Sequence, residues 1–301
     1  MTNVTYSDII VLVHWYNTSK GETVMKVLRK IGNFFVAMVP FWVYYAVQIF
    51  ASIVIGIVLA VKSVAAGETF DITSADSLMI ISVVSQITAF IGGILTMLIS
   101  KTKMSDMSPV KQNGKVYGLT VMFTIGSFFV LQLINSLSLS LMGVTETDST
   151  QDLLAQSVPF MFFTALFAPF VEELIFRGLL VTFFKKRGFS NWFTIAAITL
   201  VFGLIHSQNM MIYALCFGLV LMGIRFVTGD WKLCVVFHFI GNLMSCLFNI
   251  LVTNEETGMT VLIVGSIVGG IIAVITAVIG IKTAKERNHK DTPVLETAEM
   301  C

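Results

Sequence analysis

The stretch Ala165-Leu166-Phe167-Ala168-Pro169-Phe170-Val171-Glu172-Glu173-Leu174-Ile175-Phe176-Arg177-Gly178-Leu179-Leu180 dictates the fold class. It is apolar enough for a bilayer, yet it holds two adjacent carboxylates and a guanidinium. Charges at membrane depth are costly, and they face the interior of a helix bundle, where they serve a pathway or a reaction. Every other acidic residue falls in an expected loop or tail, and Arg225 stands near enough to a helix end to snorkel. Glu172, Glu173 and Arg177 are therefore the three charges expected deep in hydrocarbon.

Helical geometry divides them. Successive residues are about 100° apart, so Glu173 and Arg177, at i and i+4, share a face and pair. Glu172 points about 140° away from Arg177. Two like charges side by side in a low dielectric oppose each other's ionisation. Arg177 holds Glu173 ionised, and Glu172 is left free to exchange a proton as a general base or acid. A buried ion pair that fixes helix packing is the plain reading for Glu173 and Arg177, whereas Glu172 is the candidate for chemistry.

Composition agrees with a membrane setting. The 301 residues are 56% hydrophobic and 12% charged, with mean hydropathy +0.87. A soluble domain carries about twice that charged fraction. The expected class is an all-α polytopic membrane protein with one domain and no soluble module. A net charge of +1 gives no reason to expect nucleic acid. The first apolar run, Ile9 to Trp15, is too short for a signal peptide and follows Asp8. Cys216, Cys234 and Cys246 fall inside apolar runs and Cys301 ends the sequence, so neither a disulfide framework nor a CxxC metal site is expected.

Apolar runs set eight spans: Asn33–Val61 with a kink at Pro40, Leu78–Ser100, Val116–Met142, Val158–Phe184, Asn191–His206, Met210–Val227, Leu233–Val252 and Thr260–Ile281. Residues 1–32 form an N-terminal cytoplasmic segment, 33–281 the membrane domain, and 282–301 a disordered cytoplasmic tail. Lys and Arg collect in the N-terminal segment, Lys101–Lys115, Lys185–Arg187, Arg225 with Lys232, and the tail. The alternate loops carry Glu68, Asp71, Asp76, Glu146, Asp148, Asp152, Glu255 and Glu256, with Lys62 at their edge. That alternation puts both termini in the cytoplasm. The sequons at Asn3 and Asn17 then lie on the wrong side of the membrane for glycosylation.

Polar residues in the other spans are candidates to meet the carboxylates. His206 ends the fifth span, and His238 and Asn242, at i and i+4, project from one face of the seventh. His14 and His289 lie in terminal segments and read as solvated. Glu172 lies about 20 Å along its span from the basic turn and His206 about 22 Å along the next, so the two reach similar depth. Pro169 frees the carbonyl of Ala165 and bends the fourth span. The expected polar site therefore lies between spans four, five and seven.

Glu172-Glu173-x-x-x-Arg177, then Phe202-x-x-x-His206, then His238-x-x-x-Asn242 resembles the three-motif pattern of the CPBP family. That family contains the CAAX prenyl-endopeptidases and the bacterial bacteriocin-processing and self-immunity (Abi) membrane proteins. The resemblance covers residues 158–252. It implies an intramembrane endopeptidase of the glutamic type, with no cofactor and no required metal, in a bacterial cell membrane. By position, Glu172 and His206 would activate a water, His238 with Asn242 would stabilise the oxyanion, and Glu173 with Arg177 would support the site. The implied partners are the lipid bilayer and a membrane-embedded or lipidated peptide or protein substrate.

The chemistry of the residues is consistent with that implication. Peptide hydrolysis needs a base for water and donors where charge develops on the carbonyl oxygen. Two other readings stay open. His206, His238 and a carboxylate are sufficient residue types for a zinc-dependent intramembrane metalloprotease, although no His-Glu-x-x-His helix is present. A transporter or a non-proteolytic bacteriocin-immunity protein would also place charges in mid-membrane, but no repeated halves are visible.

Overall fold

In the computed structural model, which describes residues 19–143, 160, 163–252 and 255–291, the chain is all-helical and no strand occurs among the described residues. The helices are α1 (Ser19–Ala37), α2 (Val39–Ala65), α3 (Ala75–Ser100), the single turn α4 (Met104–Met107) and α5 (Gly114–Met142). α6 follows from Phe163 to Lys186 as four consecutive segments, Phe163–Phe167, Ala168–Glu173, Leu174–Leu180 and Val181–Lys186. Then come α7 (Asn191–Leu204), α8 (Met211–Thr228), α9 (Trp231–Leu251) and α10 (Glu255–Asp291).

Six helices among the described residues are long and apolar enough to cross a membrane: α2, α3, α5, α8, α9 and α10. α7 is apolar but has only 14 residues. The start of the fourth expected span, the segment Ile9–Trp15, both sequons and His14 lie outside the described residues. Two expectations are corrected. The chain does not kink within one helix at Pro40; α1 ends, Met38 forms the break, and Pro40 opens α2, where its missing N–H has no helical partner to lose. The tail is not disordered from Lys282 onward, because α10 continues to Asp291.

Capping chemistry sets the element boundaries. Ser74, Asn113 and Ser190 each accept a backbone N–H in the first turn of α3, α5 and α7. Gly229, at φ 70°, closes α8, and Asp230 opens α9 by accepting the N–H of Lys232. The basic turns then tie together at one end of the bundle. Lys186 pairs with Asp106 at 2.9 Å and holds that carboxyl below its usual range. Ser108 donates to Asp230 at 2.6 Å, and Arg287 donates to the carbonyl of Lys111 at 3.2 Å. Asp230, read from sequence as a loop residue, is fully buried here and also accepts from Tyr117 at 3.1 Å.

α6 is the centre. Its stretch from Glu173 to Leu180 is buried on all sides, as a helix enclosed by others must be. α2, α3 and α9 pack around it, and α4 plugs its basic end, where Met107 lies against Gly178. The outer helices present Ile53, Ile57, Val61, Ile267, Val274 and Val278 outward, a surface suited to lipid. α5 and α10 approach at Gly126 and Gly269, where main chains meet with no side chain between them.

That contact is testable. A methyl group on Gly126 would stand 2.5 Å from the carbonyl oxygen of Gly269 and 2.8 Å from the nitrogen of Ala273, both backbone. Gly126→Ala is expected to force the helices apart and destabilise by about 1–3 kcal/mol. Gly118→Ala, on the same helix with nothing within 4 Å, is the control. Thermal unfolding in detergent should fall for the first variant and hold for the second.

Candidate active site

α6 is interrupted twice by wider turns with i→i+5 bonding, Phe163–Phe167 and Leu174–Leu180. The first runs directly into Pro169, which has no N–H to give to a carbonyl one turn back. Within that turn, the carbonyl of Thr164 accepts from Nδ2 of Asn242 on α9, at 3.4 Å.

The second wide turn carries Arg177. Its Nη1 donates to Oε1 of Glu173 at 2.9 Å, with both side chains fully buried. Nη2 donates to the carbonyl of Gly218 at 3.3 Å, and the guanidinium carbon lies 4.3 Å from the centre of the Phe202 ring. A Cβ at position 218 would meet Phe202 at 3.0 Å and Arg177 at 3.4 Å, so the close approach of α8 needs glycine. The i, i+4 pairing expected from sequence is present. Arg225 departs from expectation: it does not snorkel but is buried, and its Nε donates to the main-chain carbonyl of Arg177 at 2.9 Å. Its acceptor is thus a main-chain carbonyl within the second wide turn of α6.

The histidines are held by their Nδ1 atoms. His238 places Nδ1 2.8 Å from Oε1 of Glu173, the same oxygen that Arg177 contacts. His206 lies just past the end of α7 and places Nδ1 2.6 Å from the carbonyl oxygen of Phe202. A carbonyl only accepts, so His206 carries its proton on Nδ1 and its Nε2 is the second, free position. His238 likewise directs an Nδ1–H to its carboxylate partner. Phe202 and Phe217 flank the rings, with Phe202 4.7 Å from His206 and Phe217 4.9 Å from His238, centre to centre.

Glu172, His206, His238 and Asn242 line one cavity of about 500 Å³. Glu172 is half-buried there and makes no hydrogen bond or ion pair with the described residues. Glu173 and Arg177 lie behind the wall. Ser207, Tyr213 and Ser245 also line the cavity, and Tyr44 and Tyr45 of α2 are within electrostatic reach of Glu172. None of these five belongs to a spaced motif. The polar type of Ser245, seven residues after His238 on the same face, was their one sequence signal. No group of three or more His, Cys, Asp or Glu among the described residues is arranged to hold a metal ion.

The shared oxygen of Glu173 makes Arg177 a structural cation. Arg177→Ala would leave that carboxylate buried against His238 alone. Breaking a buried pair from one side typically costs about 3–5 kcal/mol. Thermal unfolding in detergent is expected to drop sharply for Arg177→Ala and to stay level for Arg187→Ala, whose side chain is exposed. Equal behaviour of the two would remove the ion pair from the account of packing.

Comparison with known proteins bears on the same helices. Residues 154–244 match the model of the family described as type II CAAX prenyl endopeptidase Rce1-like. No curated protein and no solved structure matches the chain. The matched region runs through α6, α7 and α8 into α9, and contains every buried or cavity-lining charge described above. That match, over about a third of the chain, supports assignment to the CPBP/CAAX protease family and with it an intramembrane endopeptidase.

Proposed function

We propose that the endopeptidase is of the glutamic type, with Glu172 and His206 activating a water against a peptide bond of a membrane-associated or lipidated substrate. The observation that carries this reading is the convergence of Glu172, His206, His238 and Asn242, from three parts of the fold, on one cavity. Both candidate acceptors are free. Glu172 has no partner among the described residues, and Nε2 of His206 is its unprotonated nitrogen once Nδ1 is committed to Phe202. A water held between them gives one proton to Glu172 and is oriented by His206.

Attack on the carbonyl carbon moves negative charge onto its oxygen. Asn242 has a second amide hydrogen beyond the one directed at Thr164, and it supplies one donor. The imidazolium form of His238 donates Nδ1–H to Glu173 and Nε2–H into the cavity, with Glu173 as counter-charge. Donors fixed in advance by buried partners cost no reorganisation when the charge appears. Glu172 then returns its proton to the leaving amine as the C–N bond breaks, so the carboxyl cycles once per turnover.

In the membrane, the reading adds α6 and α7 to the six long apolar helices, for eight spans. α7 is about 21 Å long, short of the ~30 Å hydrocarbon core, so its end falls inside the membrane with His206 beside it. The basic loops orient both termini to the cytoplasm of a bacterial cell.

Glu172→Gln keeps the shape of a residue that makes no ion pair, so it is expected to abolish cleavage while accumulation and thermal unfolding stay near wild type. Full retained activity would remove Glu172 from the base role. A bacteriocin-immunity protein acting without proteolysis would keep its protection in that variant. Cleavage is also expected to persist in excess chelator; loss that is restored by added zinc would replace the glutamic mechanism with a metal-dependent one.

A further inference from the structure

We infer that a dry groove between α5, α8 and α10 holds one acyl chain of an anionic phospholipid, whose phosphate lies among the basic residues at the groove's end. The site is separate from the reaction cavity, and it stands independently of the proteolytic mechanism.

The groove has a volume of about 250 Å³ and is lined by apolar side chains together with Thr120, Thr228 and Thr276, with no charged residue. Each threonine donates its hydroxyl to a carbonyl of its own helix: Thr120 to Val116 at 2.9 Å, Thr228 to Ile224 at 2.7 Å and Thr276 to Ile272 at 2.7 Å. The walls therefore present methyl groups, and their hydroxyl protons are already committed. An ordered water needs about two to four polar partners, so such a surface suits hydrocarbon instead. Along α8, from Val220 to Thr228, the groove runs about 12 Å.

Two glycines make the space. A Cβ at Gly223 would have nothing within 4 Å, and one at Gly280 would meet only the Cβ of Leu119, at 4.0 Å. Neither has a positive φ. Unlike Gly126 and Gly269, they serve no close approach of main chains, so what their missing side chains provide is volume. Gly223 and Ile281 are exposed, and the groove opens on the outer surface of the bundle.

Its basic end supplies the charge. Lys115 lies one turn before Leu119 on α5, and Lys285 one turn after Ile281 on α10. Arg287 ties the end of α10 to the loop before α5 through the carbonyl of Lys111. Lys111, Lys115 and Lys285 are exposed and make no ion pair among the described residues. Glu286 lies half a turn round α10 from Ala277 and so faces away from the groove. Cations at the end of an apolar groove complement a phosphate at the head of an acyl chain, and an anionic headgroup gains most from them. Val220, Gly223 and Val227 occupy the face of α8 opposite Gly218 and Arg225, which contact Arg177. The acyl chain thus fills the outer side of the helix whose inner side braces the active site.

Native mass spectrometry and thermal unfolding of the purified full chain in detergent test the site, with added dioleoyl-phosphatidylglycerol or dioleoyl-phosphatidylcholine. The wild type is expected to retain phosphatidylglycerol, to be stabilised by it, and to retain phosphatidylcholine less. Gly223→Leu fills the groove and is expected to lose that retention while unfolding at or above the wild-type temperature without lipid. Gly118→Leu, outside the groove with nothing within 4 Å, is expected to bind as wild type does. Lys115→Ala combined with Lys285→Ala leaves the groove open and is expected to weaken phosphatidylglycerol retention about tenfold. Undiminished retention by Gly223→Leu, or no preference between the two lipids, overturns the inference. Displacement of phosphatidylglycerol by a farnesylated peptide also overturns it, because the groove then belongs to a substrate lipid. If Gly223→Leu unfolds without lipid, the lysine variant decides, since both replaced side chains are exposed, and unchanged retention there overturns the inference.

Discussion

One carboxylate oxygen, Oε1 of Glu173, holds the centre of the molecule together. It receives Arg177 from its own helix at 2.9 Å and His238 from α9 at 2.8 Å. Neither contact would be worth much in water, where an exposed pair contributes about 0–1 kcal/mol. In a fully buried setting each member is costly without the others. The consequence is geometric more than energetic. Glu173 fixes which nitrogen of His238 faces the cavity, and Arg177 fixes Phe202, whose carbonyl in turn fixes His206. His238 is therefore oriented from behind the cavity wall by Glu173, and His206 by the carbonyl of Phe202, a residue of the wall itself.

That arrangement depends on a broken helix. A regular helix through residues 163–186 would satisfy its own carbonyls and leave Asn242 and Arg225 without main-chain acceptors. A carbonyl in each wide turn is met from a neighbouring helix: Thr164 by Asn242 and Arg177 by Arg225. Inside a membrane such an opening is tolerated only where protein or a polar cavity covers it. Here α9 covers the first turn beside the cavity, and α8 covers the second beneath it. The deviations from regular helix and the positions of the polar side chains are one feature.

Much of this was legible in the residues, because the bilayer enforces simple rules. Long apolar runs became helices close to their expected ranges, and the i, i+4 spacing of Glu173 and Arg177 became a contact. The polar residues at 206, 238 and 242 meet Glu172 at one cavity, as matched depth along antiparallel spans allows. What stayed hidden depends on register or on distant partners. A period of 3.6 residues was assumed through residues 163–180, so the two wide turns were invisible. Arg225 sits at the sequence position of a snorkelling residue, and only the wide turn facing it explains its burial. His238 and Glu173 are 65 residues apart, and no local pattern joins them. Tyr44 and Tyr45 come within electrostatic range of Glu172 from a helix with no motif at all.

The two ends of the bundle are built on opposite principles, and the chemistry requires it. At the basic end, short polar contacts such as Ser108 with Asp230 and Lys186 with Asp106 knit the turns over a dense layer of large apolar side chains. At the other end, α7 stops after 14 residues and α6 opens at Pro169, so two of the central helices fail to fill their share of the space. The volume they vacate is the cavity. In the proposed mechanism water must reach Glu172, yet water passing through would breach the membrane. A site sealed below and open on one side meets both demands, and the Glu173–Arg177–His238 cluster lies at the boundary between the sealed and open halves. Charge is placed at the level where packing stops, so the groups that orient the site stay dry while the groups that face the cavity do not.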